Sequence, residues 1–321
     1  MIDLVRWRKL YFVISAVLLV PGLISLVLPG GILPGIDFTS GTIVTVRFPQ
    51  PVDQTALRSA LADFGHPEAI VQAAGDNTFI VRTRPFEQVA AGADAEQLAE
   101  RQRFEQTLRE RFSEPEILSL ESVSPLIATE IIWKSILAIA AACVAILAYL
   151  WWAFRKVPRA WLYGGVAVIA LVHDALFVLG AFSILGRLFG IEIDAIFIVA
   201  VMTVIGFSVH DTIVVFDRIR ENFARHQGEP FVDVVNHSLS QTIVRSLNTS
   251  LTVILTLLAL YLFGGVTIQH FVLALILGIT AGTYSSIFFA SMLLVVFERG
   301  DVQAWWRRLR GRPVELAKAG A

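Results

Sequence analysis

Residues 195–222 read AIFIVAVMTVIGFSVHDTIVVFDRIREN, a long apolar run that ends abruptly in charge. From Ala195 to Phe216 it is apolar and long enough to cross a bilayer, which takes about 20 such residues. It then breaks at once into Asp217, Arg218, Arg220 and Glu221. Inside the apolar run sit His210 and Asp211. Ionisable groups at that depth are costly, and in spanning helices they mark function.

Working outward, five more segments fit the same template: 11–28, 131–152, 161–185, 243–265 and 271–297. Of the 321 residues 55% are hydrophobic and 17% charged, well below the roughly one-quarter charge of soluble domains. The segment 243–265 is the weakest, because its strongly apolar part, 251–263, is too short alone. That helix must begin before Ser250, which draws Arg245 toward membrane depth. Between spans four and five, Phe231, Val234, Val235 and Leu239 recur at near-helical spacing beside Asp233, Asn236 and His237. This pattern predicts a short interfacial helix serving as an elbow.

Positive residues mark the cytoplasmic side of a membrane protein. Arg6, Arg8 and Lys9 precede span one; Arg155, Lys156 and Arg159 lie between spans two and three. Arg218, Arg220 and Arg225 follow span four, and Arg299, Arg307, Arg308, Arg310 and Arg312 follow span six. The loop 186–194 has only Arg187, and 265–270 has no Lys or Arg. Both termini are therefore expected in the cytoplasm, with the long loop after span one outside. Span one lacks an A-x-A-like site and runs into Pro21 and the Pro-Gly-rich stretch 28–35, so an uncleaved anchor is expected. The expected parts are an N-terminus with span one over 1–30, an extracytoplasmic domain over 31–128, a five-helix bundle over 129–300 and a basic tail over 301–321.

The hydrophilic stretch 35–125 alternates strand and helix patterns. Strands are predicted over 42–48, 69–73, 79–83 and 116–123, and helices over 52–64 and 95–112, with Gly75-Asp76-Asn77 as a turn. The order β-α-β-β-α-β is that of a ferredoxin-like α+β domain. It carries no cofactor motif, and its histidine, His66, reads as an exposed turn residue.

Candidate chemistry lies within the spans. His173 and Asp174 fall midway along span three, His210 and Asp211 in the inner half of span four, and Arg245 near the start of span five. A low dielectric and a nearby arginine pull a carboxyl's proton in opposite directions, so Asp211 is the candidate proton carrier. Arg245 keeps its charge and is the candidate counter-ion. Asp174 suits either a second proton carrier or a hydrogen-bonded lock between spans three and four. Ser208, His210 and Asp211 share the letters of a hydrolase triad, but Ser208 and His210 point about 200° apart on a helix and cannot converge. A metal site from the two His-Asp pairs is disfavoured because adjacent residues face different ways. The single Cys143 excludes an intrachain disulfide and a cysteine metal cluster. A net charge of −1 gives no nucleic-acid footprint, and no phosphate-binding G-x-x-x-x-G-K-[ST] string occurs. No cofactor is expected.

Several strings together resemble the SecF family. Gly35, Asp37, Phe38, Thr39 and Gly41 match its GIDFTGG motif after span one, with Ser40 where glycine is usual. Val123-Ser124-Pro125, Val172-His173-Asp174 and residues 206–222 match its later motifs, with His210 where asparagine is usual. Arg245-Ser246-Leu247-Asn248-Thr249-Ser250 and Gly282-Thr283-Tyr284-Ser285-Ser286 match spans five and six. The resemblance implies one half of an RND-type transporter, in the bacterial inner membrane, that is no enzyme. It implies SecD, the SecYEG channel, unfolded preprotein, protons and membrane lipid as partners. It further implies use of the proton motive force in late steps of export, with Asp211 and Arg245 on the proton path. Gly278-x-x-x-Gly282 in span six, followed by Ser285 and Ser286, is spaced for close helix approach, of which a contact with the other half is one use. The competing readings are an RND-like exporter of small molecules or lipids, against which stand six spans and one outer domain, and a non-transporting scaffold, against which stand the buried charges.

Overall fold

The computed structural model describes residues 3–86, 93–112, 114–155, 159–226, 228–265 and 268–300. Lys156 and the basic tail expected over 301–321 lie outside the described residues. Among those described, six helices are long and apolar enough to cross a membrane. The chain divides into two compact units. One, the sheet domain, comprises Pro34–Ala138 with Glu192–Ala195; the other, the helical unit, holds the remainder.

The sheet domain begins with a single helical turn, α2 (Ile36–Thr39), after the first span α1 (Arg8–Val27). Then follow β1 (Gly41–Arg47), α3 (Gln54–Asp63), β2 (Ile70–Ala73), β3 (Thr78–Thr83), α4 (Ala93–Arg111) and β4 (Glu116–Val123). The strands lie in the order β2-β3-β1-β4, each antiparallel to its neighbour, which is the ferredoxin-like arrangement the alternation predicts. Period-two patterning turns Val44 and Val46 of β1 and Phe79 and Val81 of β3 inward, where they meet Leu57 and Leu61 of α3 and Phe104 and Leu108 of α4. Asp53 caps α3 by accepting from Ala56 N at 3.2 Å. The Gly75-Asp76-Asn77 turn has positive φ at all three residues (86°, 46° and 54°), as its composition predicts.

Ser40 sits at φ 61° and ψ 165°, a region that glycine occupies freely and serine only with strain. His66, expected at an exposed turn, is buried instead. Gly65 at φ 105° turns the chain back, so that His66 Nδ1 meets Thr83 Oγ1 at 2.6 Å and its ring stacks on Phe64. Its other nitrogen lies 3.4 Å from Glu100 of α4. Nearby, Glu68 is held below the usual carboxylate range, first by its own backbone N–H and then by the Thr83 hydroxyl.

In the helical unit α1 packs on α6 (Ala160–Phe189) at a point where Gly22 and Gly180 face each other. A Cβ built on either would stand within 2.8 Å of the other's Cα, so both positions need glycine. One turn on, Ser25 and Ser183 share a hydrogen bond of 2.7 Å. Arg187 donates to Ser25 Oγ and to the carbonyls of Ser25, Leu28 and Pro29, capping the C-terminal end of α1. The lone positive charge of the 186–194 loop is thus a helix cap.

Span two is α5 (Pro125–Phe154), and span four is α7 (Ala195–Arg225). Phe154, Tyr163 and Phe216 of α5, α6 and α7 form an aromatic cluster with centroids 5.7–6.1 Å apart. Span five is α8 (Phe231–Phe263), one uninterrupted helix. The elbow expected around 231–239 is therefore not a separate element: no Gly or Pro separates it from the apolar part, and the helix runs through. Span six is α9 (Gln269–Tyr284), a π-helical turn (Ser285–Ala290) and α10 (Ser291–Glu298). Gly278 and Gly282 make the close helix approach that their spacing predicts, within the chain rather than with a partner. Cβ atoms there would meet Val204 and Ser208 of α7, so the small-residue stripe seats span six on span four of the same chain.

Candidate functional site

Asp174 lies midway along α6 and is wholly buried. Its Oδ2 accepts from Ser208 Oγ of α7 at 2.5 Å and from Ser285 Oγ of the π turn at 2.6 Å. Its Oδ1 lies 2.9 Å from Nδ1 of His173. Three elements thus converge on one carboxylate. Glycine at 282 leaves the necessary room, since a Cβ there would stand 3.6 Å from Asp174 Oδ2 and 3.3 Å from Ser208 Cβ. Around this centre Thr212 and Ser286 share a bond of 2.9 Å, Thr283 donates to Ser250 Oγ of α8 at 2.6 Å, and Tyr284 donates to the Tyr11 carbonyl of α1 at 2.7 Å. The π turn supplies Ser285 and Ser286 together; such turns inside α-helices recur at functional sites.

Asp211 is one turn further along α7 from Ser208 and 3% exposed. Its Oδ2 is buried with no hydrogen-bond partner among the described residues. A buried polar atom without a partner is costly, and in a native structure it calls for an explanation. His173 is also buried; its ring stacks on Phe289 with centroids 4.5 Å apart, and its Nε2 has no partner among the described residues.

His210 is exposed on α7, beside the buried Asp211 in sequence. Arg245 lies on an exposed face of α8, and among the described residues no ion pair joins it to Asp211. The structure therefore gathers His173 and Asp174 with hydroxyls of α7 and the π turn, and leaves Asp211 buried one turn away with Arg245 apart. Ser208 donates to Asp174 rather than to His210, which removes the triad geometry. Among the described residues no three His, Cys, Asp or Glu side chains come together as a metal site.

Ser208, Thr212, Ser285 and Ser286 are the polar residues that sequence reasoning underrated. Their signal was present, since hydroxyl pairs in apolar spans form interhelical hydrogen bonds. What the sequence does not give is which helices face each other.

The motif glycines and Asp37 sit in the sheet domain. Thr39 donates to the Gly35 carbonyl at 3.0 Å, closing the one-turn helix α2. Asp37 Oδ2 accepts from Ala195 N, the first residue of α7, at 2.8 Å. A Cβ on Gly41, which has φ 139°, would stand 3.1 Å from the Thr83 carbonyl.

This fold and site define a polytopic membrane protein that keeps carboxylates inside its spans and a ferredoxin-like domain after the first of them. Residues 103–300 match the family model described as protein export membrane protein SecD/SecF, C-terminal. The chain is 51% identical to the protein translocase subunit SecF of Thermobaculum terrenum, over 96% of this chain and 98% of that one. It is 40% identical to the corresponding subunit of Anaerolinea thermophila, over 96% and 98%. It also superposes with a TM-score of 0.76 and 31% identity on SecDF of Thermus thermophilus, a translocon-associated membrane protein, covering 93% of this chain and 39% of that longer one. The chain belongs to the SecF family of protein translocase subunits.

Proposed function

We propose that the chain works with SecD as half of a proton-driven export motor, promoting late steps of preprotein movement through the SecYEG channel. The observation that carries this reading is the buried Asp211 carboxyl with an unpartnered oxygen. A carboxyl fixed by several donors must break those bonds when its proton comes or goes. Asp211 Oδ2 has none to break, so the cost of exchange there is set by its surroundings alone. Arg245, on an exposed face of α8, is the counter-ion whose approach in another state of the cycle drives release. Each proton crossing supplies about 2.3 kcal/mol per 100 mV, enough for several crossings to bias an unfolded chain against backsliding. His173, Asp174 and His210 line the remainder of the route or hold it in place. The long apolar faces of α5 and α8, with Leu137, Val144 and Leu262 exposed, are left for lipid and for SecD.

In this reading the protein lies in the inner membrane with both termini cytoplasmic and the sheet domain outside. Single cysteines at Asp76 and Arg225, in a Cys143-free background, should react with an impermeant reagent from opposite sides. Reaction from one side rejects this orientation. The motor is tested by translocation into inverted vesicles with and without a protonophore, at matched protein amounts. Asp211→Asn should still assemble with SecD yet lose the protonophore-sensitive stimulation. Arg245→Lys, which keeps the charge, should impair it less than Arg245→Ala. Normal stimulation by the Asp211→Asn protein would overturn the proton role.

A further inference from the structure

Asp37 has no place in the motor as described so far, yet its carboxylate makes a specific contact. Oδ2 accepts from Ala195 N at 2.8 Å, and Ala195 is the first residue of α7. The opening N–H groups of a helix have no partner within it, and a carboxylate there also meets the positive end of the helix dipole. Further contacts hold the same short segment. Gly35 N donates to the Ile193 carbonyl at 2.8 Å, and Pro34 and Ile193 pair as a parallel bridge. Arg82 of β3 is ion-paired with Glu192. Gly35 is close-packed as well, since a Cβ on it would stand 3.0 Å from the Ile193 carbonyl oxygen. Asp37 is itself fixed, because the N–H groups of Phe38 and Thr39 and the Thr39 hydroxyl all bond the Gly35 carbonyl. Residues Glu192–Ala195 accordingly belong to the sheet domain, while α7 continues unbroken to Arg225 and carries Asp211 on the way.

We propose that Asp37 is a positioning residue through which the sheet domain grips the start of α7 and keeps that grip through the working cycle. A helix transmits displacement along its axis, so movement of the domain and the setting of Asp211 become one mechanical event. This inference rests on the proton role of Asp211 for its consequence in export, but the grip itself is independent of it.

The test uses the full chain assembled with SecD. Amide exchange is read by mass spectrometry on the purified complex, and protonophore-sensitive translocation is read in vesicles at matched amounts. Asp37→Ala should speed exchange in the first turn of α7 by about fivefold, the loss expected for a helix cap, while leaving β1 and β4 unchanged. It should lower the stimulation several-fold. A disulfide between Pro34→Cys and Ile193→Cys, which are bridge partners, replaces the grip by a covalent tether in a Cys143→Ser background. Oxidised, it should restore stimulation to Asp37→Ala although the Ala195 amide still exchanges fast; reduced, it should not. Asp37→Asn, whose amide oxygen still accepts, should fall between the wild type and Asp37→Ala, and it carries the test should Asp37→Ala fail to accumulate. Unchanged exchange and stimulation in these variants, or a loss that the oxidised tether does not restore, overturns the proposal. Asp211→Asn is run alongside: if it keeps full stimulation the proton reading falls, and the exchange measurement still decides the role of Asp37.

Discussion

Asp174 and Asp211 are the same residue type, buried to nearly the same degree in neighbouring helices, and their surroundings are opposites. Asp174 is held by Ser208, Ser285 and His173, so that α6, α7 and the π turn meet on it. Asp211 keeps an oxygen without a partner. Burial is thus common to both, and the number of fixed donors separates them. On this comparison we propose the lock for Asp174 and the exchange for Asp211.

The largest expected effect separates the two by activity. Asp211→Asn should remove proton-dependent stimulation while leaving the thermal midpoint of the SecD complex unchanged or raised, because it replaces an unsatisfied buried acid. If the midpoint falls as far as for Asp174→Asn, the two sites do not differ in kind. Next comes the stability of the lock itself. Asp174→Asn keeps the shape but leaves one acceptor oxygen where the carboxylate has two, so the serine hydroxyls and His173 cannot all keep their partner; it should cost about 1–3 kcal/mol, read as a lowered unfolding midpoint and lower abundance. Equal stability with lost stimulation would instead make Asp174 a second proton carrier. Single removal of its donors, Ser208→Ala or Ser285→Ala, should cost about 0.6–1 kcal/mol each, and the double variant should be non-additive, since both hydroxyls serve one oxygen. The smallest effect is expected at His210. Its side chain is exposed, so His210→Asn should change stability by less than about 0.5 kcal/mol and leave the lock intact. A larger loss would mean that His210 has a buried partner in the assembled complex.

Much of this architecture was legible because it rests on local pattern. The spans follow from unbroken apolar runs, and the strand order follows from alternation and the Gly75-Asp76-Asn77 turn. The exceptions are instructive. His66 reads as a turn residue because it follows Gly65, but the direction in which that glycine turns the chain is a tertiary fact. The supposed elbow before span five was separable only by its polarity. The absence of any Gly or Pro between Phe231 and Phe263 is the signal in the sequence for a single helix. Gly278 and Gly282 announced a close contact without naming its partner. Likewise Asp174 and Asp211 were both marked as costly, while the hydroxyls that distinguish them come from helices distant in sequence.

The π turn at Ser285–Ala290 has a bearing on which length changes span six tolerates. Such a turn is an α-helical turn carrying one surplus residue. Removing a single residue there would let the ladder close as an ordinary α-helix, relieving rather than breaking the span. Because the wide turn already absorbs the surplus residue, α9 and α10 keep their phase across that deletion, whereas a deletion elsewhere in the span turns one part by about 100° against the other. Span six should therefore tolerate a one-residue deletion after Ser286 in this hexad with Ser285 still on Asp174, whereas the same deletion in α9 or α10 should turn residues off their partners and break the lock. The surplus residue behaves as slack: it widens one turn of the span without changing which face of the helix is read.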